Sequence, residues 1–197
     1  VVSQCNSVIM DMPGYVSGVA QEDVDAAIAE ARAIRAYCYW YIAECWHDAP
    51  IITHNSNNIQ NNIFNTPRNP QADIYRFALE DADWAIEHLP DTDADAYRAT
   101  KTTARAIRAR ILVTMASHSD YNYDRADLYS RAAADALAVI ESRPNVKSIP
   151  FATLFDEVAN DGPESLLAIQ CGTLGYGTGN SKTIAWGRGA RVADGCW

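Results

Sequence analysis

Lysine is almost missing from this chain of 197 residues. Lys101, Lys147 and Lys182 are the only three, and arginine carries most of the positive charge. No basic block occurs and the net charge is −9. Such a chain has no means of neutralising a run of phosphates, which argues against nucleic acid as a partner. An acidic surface also disfavours polyanionic ligands and leaves neutral small molecules or proteins. No run of apolar residues approaches the roughly 20 that a membrane-crossing helix needs. Cysteine is sparse: Cys5, Cys38, Cys45, Cys171 and Cys196 are odd in number and form no CxxC pair. Neither a zinc site nor a disulfide framework is expected, and no cofactor is implied. Cys38 and Cys45 lie two turns apart on one helix, roughly 10 Å at about 1.5 Å per residue, beyond the roughly 7 Å that a bridge spans. Both read as small buried hydrophobes.

What is present is helix. Val1 to Tyr15 reads as the end of a helix closed by Pro13-Gly14. The chain does not begin with Met, and the expectation is a fragment of something longer. Asp23 to Asp48 reads as the long organising helix. Ala31, Ile34, Cys38, Tyr41, Ile42 and Cys45 recur at the spacing of one helical face. Pro50 disfavours the helical conformation at Ala49 and stops it. Ile51 to Asn69, IITHNSNNIQNNIFNTPRN, is a long Asn-rich loop without sustained period. Asn69 is expected to cap the next helix, with Pro70 at its first position.

Gln71 to Leu89 is the second clear helix, with Ile74, Phe77, Ala78, Trp84, Ala85 and Leu89 inward and Glu80, Asp81 and Asp83 mostly wet. Thr100 to Ser117 is the third, with a stripe of Ala104, Ile107, Ile111, Leu112 and Met115. Asp124 to Ser142 is the fourth, with Ala126, Tyr129, Ala133, Ala136, Leu137 and Ile140 expected to face inward. The pairing and spacing approach the 34-residue tetratricopeptide repeat in a degenerate form. The expected fold is all-α: antiparallel helix pairs with long polar loops and a glycine-rich C-terminal loop region. Phe151 to Val158 reads as a short helix or turn, and Glu164 to Cys171 as a strand-length or buried extended segment. Gly172 to Gly195 is a long glycine-rich loop.

The order of these features resembles the SusD/RagB family of outer-membrane nutrient-binding lipoproteins. Glu30-Ala31-Arg32-Ala33-Ile34-Arg35-Ala36-Tyr37-Cys38-Tyr39-Trp40 is similar to that family's EARFLRA-x-YYW helix. It runs into Trp46-His47-Asp48-Ala49-Pro50-Ile51-Ile52, where the family usually has Gly-Asp-x-Pro-Leu. Thr66-Pro67-Arg68 follows, then Ile74-Tyr75-x-Phe77 and Glu80-Asp81-Ala82-x-Trp84-Ala85-Ile86-x-x-Leu89-Pro90. Thr100-Lys101 opens an Ala-rich helix through Ala109-Arg110-Ile111-Leu112; Ala132 to Ile140 makes a fourth block, and Glu164 to Gln170 a fifth. The departures are His47 where Gly is usual, and Leu166-Leu167 in place of a more β-branched pair. Five ordered blocks across nearly the whole chain are more specific than any one of them.

The resemblance implies a lipid-anchored, surface-exposed outer-membrane protein. It would capture a neutral oligosaccharide or other nutrient and hand it to a TonB-dependent, SusC-like porin, the lipid-carrying Cys lying upstream. It implies no enzyme. Residues 1–150 are then the helical-repeat region, and 151–197 the start of a truncated, loop-rich ligand-binding region. A tetratricopeptide-type protein-interaction scaffold is the alternative.

Candidate chemistry is thin elsewhere. Cys45, His47 and Asp48 are the nearest approach to a nucleophile with a base and an orienting group, but Cys45 reads as facing the core and adjoins no oxyanion turn. His118, Asp120 and Asp124 match no metal-loop spacing and read as a capped turn. Arg32 and Arg35 read as ion-pair partners for Asp81 or Glu80 ahead of ligand contacts. Tyr37, Tyr39, Trp40, Tyr41 and Trp84 read as packing groups. Ligand stacking is assigned first to Trp186, then to Tyr176, with Arg188 and Asn180 as polar partners and Trp197 beside them. The competing reading of Trp186 is a loop anchor tucked under the helices.

Overall fold

The structure is a computed structural model, and it describes residues 1–92, 98–145, 148, 150–153 and 162–167. These residues belong to a unit spanning Val1–Leu167; a second unit, Ala168–Trp197, lies outside the described residues. Among the described residues there are six α-helices: α1 (Val2–Asn6), α2 (Gln21–Trp46), α3 (Asn55–Gln60), α4 (Gln71–His88), α5 (Lys101–Ser117) and α6 (Arg125–Ser142). After α1 the backbone widens into a π-helical turn over Ser7–Asp11 and tightens into a 3-10 turn over Met12–Gly14.

The 26-residue α2 is built on alanine. Ala29, Ala33, Ala36 and Ala43 are buried on one side of it, where small side chains let a neighbouring helix approach closely. That neighbour is α4, which returns antiparallel: Gln71 at its start reaches Ala43, and Asp81 in its middle reaches Arg35. α5 packs on α4 and α6 packs on α5, each reversing direction, as Tyr75–His118 with Asp83–Arg108, and Thr102–Ser142 with Arg108–Asp135, show. α2 and α5 therefore run parallel and touch along one edge, where Trp40 meets Thr114. This is the all-α, tetratricopeptide-like stack of antiparallel pairs. The predicted stripe of α5 is buried in full, with Ile111 and Leu112 at its centre. A second, smaller cluster joins Cys5 and Ile9 to Ala31, with Val8, Ile28 and Ile34 against it.

Several expectations change. On α2, Cys45 is exposed and Tyr41 only half-buried, because the alanine stripe rather than the Ile34–Cys45 line meets α4. On α4, Asp81 is only 1% exposed, because two arginines of α2 hold it. On α6, the inward residues are Leu128, Ala132, Asp135 and Val139. The expected inward set faces out, with Tyr129, Leu137 and Ile140 each more than 40% exposed. The roll of α6 follows Asp135, whose two oxygens accept from Arg108 Nε and Nη2, both at 2.7 Å. The described part of the expected strand segment, 164–167, holds turn and bend residues and no strand, fixed by Thr103 Oγ1 on the Leu166 carbonyl and Arg143 on the Ser165 carbonyl.

The Asn-rich loop holds a helix of its own, α3. It closes with the two hydrogen bonds of a Schellman motif, from Ile63 N to the Asn58 carbonyl and from Asn62 N to the Ile59 carbonyl. Asn62 takes the left-handed position at φ 55°, a place asparagine tolerates better than most residues. Asn69 does not cap α4. Its backbone pairs with Ala49 in an antiparallel bridge, and its side chain accepts from Ile51 N. Pro70 therefore stands outside the helix, and Asp48 Oδ1 accepts the first free N–H, that of Gln71, at 2.9 Å.

Candidate functional site

Trp186, Tyr176, Arg188, Asn180 and Trp197 all lie outside the described residues. Three other places on the chain gather chemistry-bearing side chains.

The first is a buried ionic knot between α1, α2 and α4. Arg35, 3% exposed, donates from Nε and Nη2 to the two oxygens of Asp81 at 2.7 and 2.9 Å, and from Nη1 to Asn6 Oδ1 at 2.8 Å. Arg32 adds a longer bond to Asp81 at 3.2 Å and lies over the Trp84 ring, which stacks on His88. Asn6 passes the order on: its amide donates to the Ile52 carbonyl and to Asn55 Oδ1, both at 2.7 Å. The fork-on-carboxylate geometry is what makes arginine the residue for such a place. Arg35 is thereby committed to the scaffold. Burial pushes the neighbouring Cys5 and Cys38 thiols above their usual range.

The second is the turn after α2. His47 has φ 58° and ψ −113°, a conformation that glycine enters freely and a side chain does not. The turn is locked on both sides. Tyr39 Oη accepts from Ile52 N at 2.8 Å and meets the Ile52 carbonyl at 3.1 Å. Gln71, almost fully buried, donates to the Ala43 carbonyl and to Tyr75 Oη, and its own carbonyl accepts from Tyr121. Tyr75 donates to Glu44 and stands 3.1 Å from His118 Nε2. Burial and the Glu44 carboxylate push the Tyr75 phenol far above its ordinary range, so it stays protonated. Cys45, His47 and Asp48 do not assemble into a triad: Cys45 is exposed, His47 Nδ1 lies 3.3 Å from Gln71 Oε1, and Asp48 caps α4. Asp124 caps α6 by accepting from Asp127 N, and His118 faces Tyr75.

The third place was not anticipated as a site. Along the C-terminal half of α2 runs a string of rings, of which Trp40 meets α5: Tyr37 and Trp40 are 5.6 Å apart, Trp40 and Tyr41 6.4 Å, Tyr41 and Trp46 6.4 Å, between centroids. Arg110 of α5 lies over Trp40 at 5.1 Å, and the Trp40 indole N–H donates to Thr114 Oγ1 at 3.0 Å. Tyr37, Trp40 and Tyr41 are half-buried, and Trp46 is 64% exposed. Of the α2 aromatics, Tyr39 is a core group in full, at 2% exposed. The signal was in the sequence. Ala29, Ala33, Ala36 and Ala43 mark the packed face, and Tyr37, Tyr41 and Trp46 fall off it.

A neutral segment lies against the α1 end, where Asn6 meets Asn55 and Ser56 meets Asp11. From Ile51 to Pro67 there is no Asp, Glu, Lys or Arg, and Gln60, Asn61, Asn62, Ile63, Phe64 and Asn65 are all exposed. Among the described residues no cluster of His, Cys, Asp and Glu is arranged to hold a metal.

Comparison with known proteins places this architecture. A SusD-like family model, described as "Starch-binding associating with outer membrane", matches residues 2–113. A SusD-like protein of Bacteroides ovatus is 30% identical over 177 residues, which are 89% of this chain and 32% of the relative. Another, from Formosa agariphila, is 28% identical over 184 residues, 88% of this chain and 34% of the relative. The chain thus spans about a third of the length of the curated relatives it matches. A crystal structure solved with xylogluco-oligosaccharide superposes with a TM-score of 0.73 at 28% identity, over 90% of this chain and 35% of that one. A SusD superfamily protein from Bacteroides vulgatus shares the fold at a TM-score of 0.68 and 21% identity, over 84% of this chain and 33% of that one. With the family model covering more than half of its residues on the matching helical stack, the chain belongs to the SusD-like family.

Proposed function

We propose that this chain is the helical part of a glycan-binding protein of the outer membrane, one that captures a neutral oligosaccharide at the cell surface and passes it to a TonB-dependent, SusC-like porin. The observation that carries the reading is family membership over residues 2–113, under a model described as starch-binding and associating with the outer membrane. The structural neighbour solved with xylogluco-oligosaccharide supports a sugar as ligand. The charge of −9 and the scarcity of lysine agree with a neutral ligand. The reaction is capture without bond cleavage: aromatic faces lie on the apolar faces of sugar rings, and amides and guanidinium groups bind hydroxyls. Attachment through a lipid on an upstream cysteine belongs to the same proposal, as does the assignment of Trp186, Tyr176, Arg188, Asn180 and Trp197 to the ligand.

The test is titration of the natural full-length protein with neutral polysaccharides, with Trp186→Ala as the variant. Binding by the wild type and loss in the variant support the reading and the site. Equal binding by both removes the Trp186 assignment and leaves the function. A protein-interaction scaffold is the second reading, and one observation favours it: the outward apolar stripe of Tyr129, Leu137 and Ile140 on α6.

A further inference from the structure

We propose that the ring string running from Tyr37 to Trp46 along the C-terminal half of α2 is a second stacking subsite for a neutral oligosaccharide, centred on the exposed Trp46 and bounded at its Trp40 end by Arg110 of α5. The proposal rests on the glycan-binding reading above and assigns part of it to residues of the helical scaffold.

Four aromatic rings follow one another from Tyr37 to Trp46 at centroid steps of 5.6, 6.4 and 6.4 Å. These steps are close to the length of one pyranose unit; Trp40 carries Arg110 over its ring, and Trp46 offers the most exposed face. The interplanar angles are 37°, 56° and 68°, so the faces turn along the string. A turning set of faces suits a single flexible chain better than a flat sheet of chains. Trp46 is 64% exposed, a large amount of apolar area for a tryptophan to leave in water.

The polar groups needed at such an edge are there too. Arg110 is exposed, and its guanidinium is already positioned over Trp40, which leaves its N–H edge for hydroxyl oxygens. Thr114 Oγ1 accepts from the Trp40 indole, so its own proton is available to a sugar oxygen. Ser117 Oγ donates to the Thr114 carbonyl and keeps its lone pairs for a sugar hydroxyl. The edge is also electrically quiet. Glu44 is the one acid between Tyr37 and Trp46, and its carboxylate is turned to Tyr75. A neutral, hydroxyl-rich chain fits this surface; a phosphate or sulfate chain meets one exposed arginine on a molecule of net charge −9.

The ring string is also pre-ordered. Its helix is fixed by the buried Arg35–Asp81 pair, and Trp40 is pinned by its hydrogen bond, so little side-chain freedom is lost on binding.

The experiment uses the natural full-length protein and isothermal titration with gluco-oligosaccharides and xylogluco-oligosaccharides, wild type beside Trp46→Ala, Trp46→Phe and Arg110→Gln. The expected result is a loss of about tenfold in affinity for Trp46→Ala, in the range of a single aromatic hot spot. A smaller loss is expected for Arg110→Gln, and near-wild-type binding for Trp46→Phe, with unchanged melting temperatures throughout. Wild-type affinity in Trp46→Ala and Arg110→Gln overturns the subsite while leaving the glycan reading intact. A fall in melting temperature of several degrees in Trp46→Ala also overturns it, since the edge is then covered by another part of the polypeptide. A wild type that binds none of the sugars removes the glycan reading and this subsite together.

Discussion

His47 is the residue whose local chemistry most contradicts its backbone. Its φ of 58° with ψ −113° is glycine territory, and the family pattern has glycine there. The side chain makes one long polar contact, to Gln71 at 3.3 Å. His47→Gly is expected to raise the stability of the domain by about 1 kcal/mol, less the loss of that contact, as read from the urea midpoint. An unchanged or lower midpoint would show that the strain is relieved elsewhere. Asp81 is the opposite case, a buried carboxylate that accepts three hydrogen bonds from two arginines. Asp81→Ala leaves Arg35 charged and buried, and a cost of roughly 3–5 kcal/mol is expected in the same measurement. The Arg–Asp pair was legible in the sequence because a forked cation on an apolar stripe needs a fixed carboxylate. The identity of the third partner, Asn6, was not, since it comes from a segment read only as a helix end. Cys5 and Cys38 give the pH dependence. Burial raises both thiols above their ordinary range, so the folded chain keeps protons that the unfolded chain sheds. With fewer protons on the unfolded state, stability is full below the ordinary thiol value of about 8.5 and falls as pH rises through the window above it. Denaturation midpoints are expected to drop as pH rises above about 8.5, and Cys5→Ala is expected to reduce the drop.

At the scale of elements, periodicity located the four long helices to within two residues at each end but not which way each one faces. α5 was read correctly because its large apolar residues form a single stripe. α6 carries two stripes, and the heavier one, with Tyr129, Leu137 and Ile140, faces out. An ion pair decides the matter: Asp135 sits on the inner stripe because Arg108 meets it there, and Arg108 is also held by Asp83 of α4. Those carboxylates raise the Arg108 pKa, Asp135 contributing most. Asp135→Ala is expected to cost about 1–3 kcal/mol. The double replacement Arg108→Met with Asp135→Leu is expected to recover much of it, because an apolar pair of similar volume fills the place without a stranded charge. A double variant as weak as the sum of its parts would show that the ion pair has no special role in the roll of α6. The turn after α2 teaches the same lesson. Asn69 had the chemistry of a cap, but its backbone was needed for the bridge to Ala49, and Asp48 supplied the cap from across the turn. Local sequence shows which residues are able to cap; the pairing that occupies one of them is set by the tertiary structure.

For the whole molecule, the class of fold was legible before any coordinates. Apolar spacing gave the helices, proline gave their ends, and five ordered motifs gave the family. The candidate site was less legible. Aromatic density on α2 looked like core because aromatic residues usually are, and only the alanine stripe on the other side shows that those rings are left at the edge. The proposed stacking residues Trp186 and Tyr176 belong to a glycine-rich stretch whose pattern carries no periodicity to place them. The central claim is that the natural protein holds a neutral glycan without cleaving it. Its most direct test is calorimetric titration of the full-length protein with starch-type and xyloglucan-type oligosaccharides, followed by chromatography of the recovered sugars. Saturable binding to at least one, with the sugar recovered intact, is the predicted result. A folded protein that binds neither, or one that returns shortened chains, would contradict it.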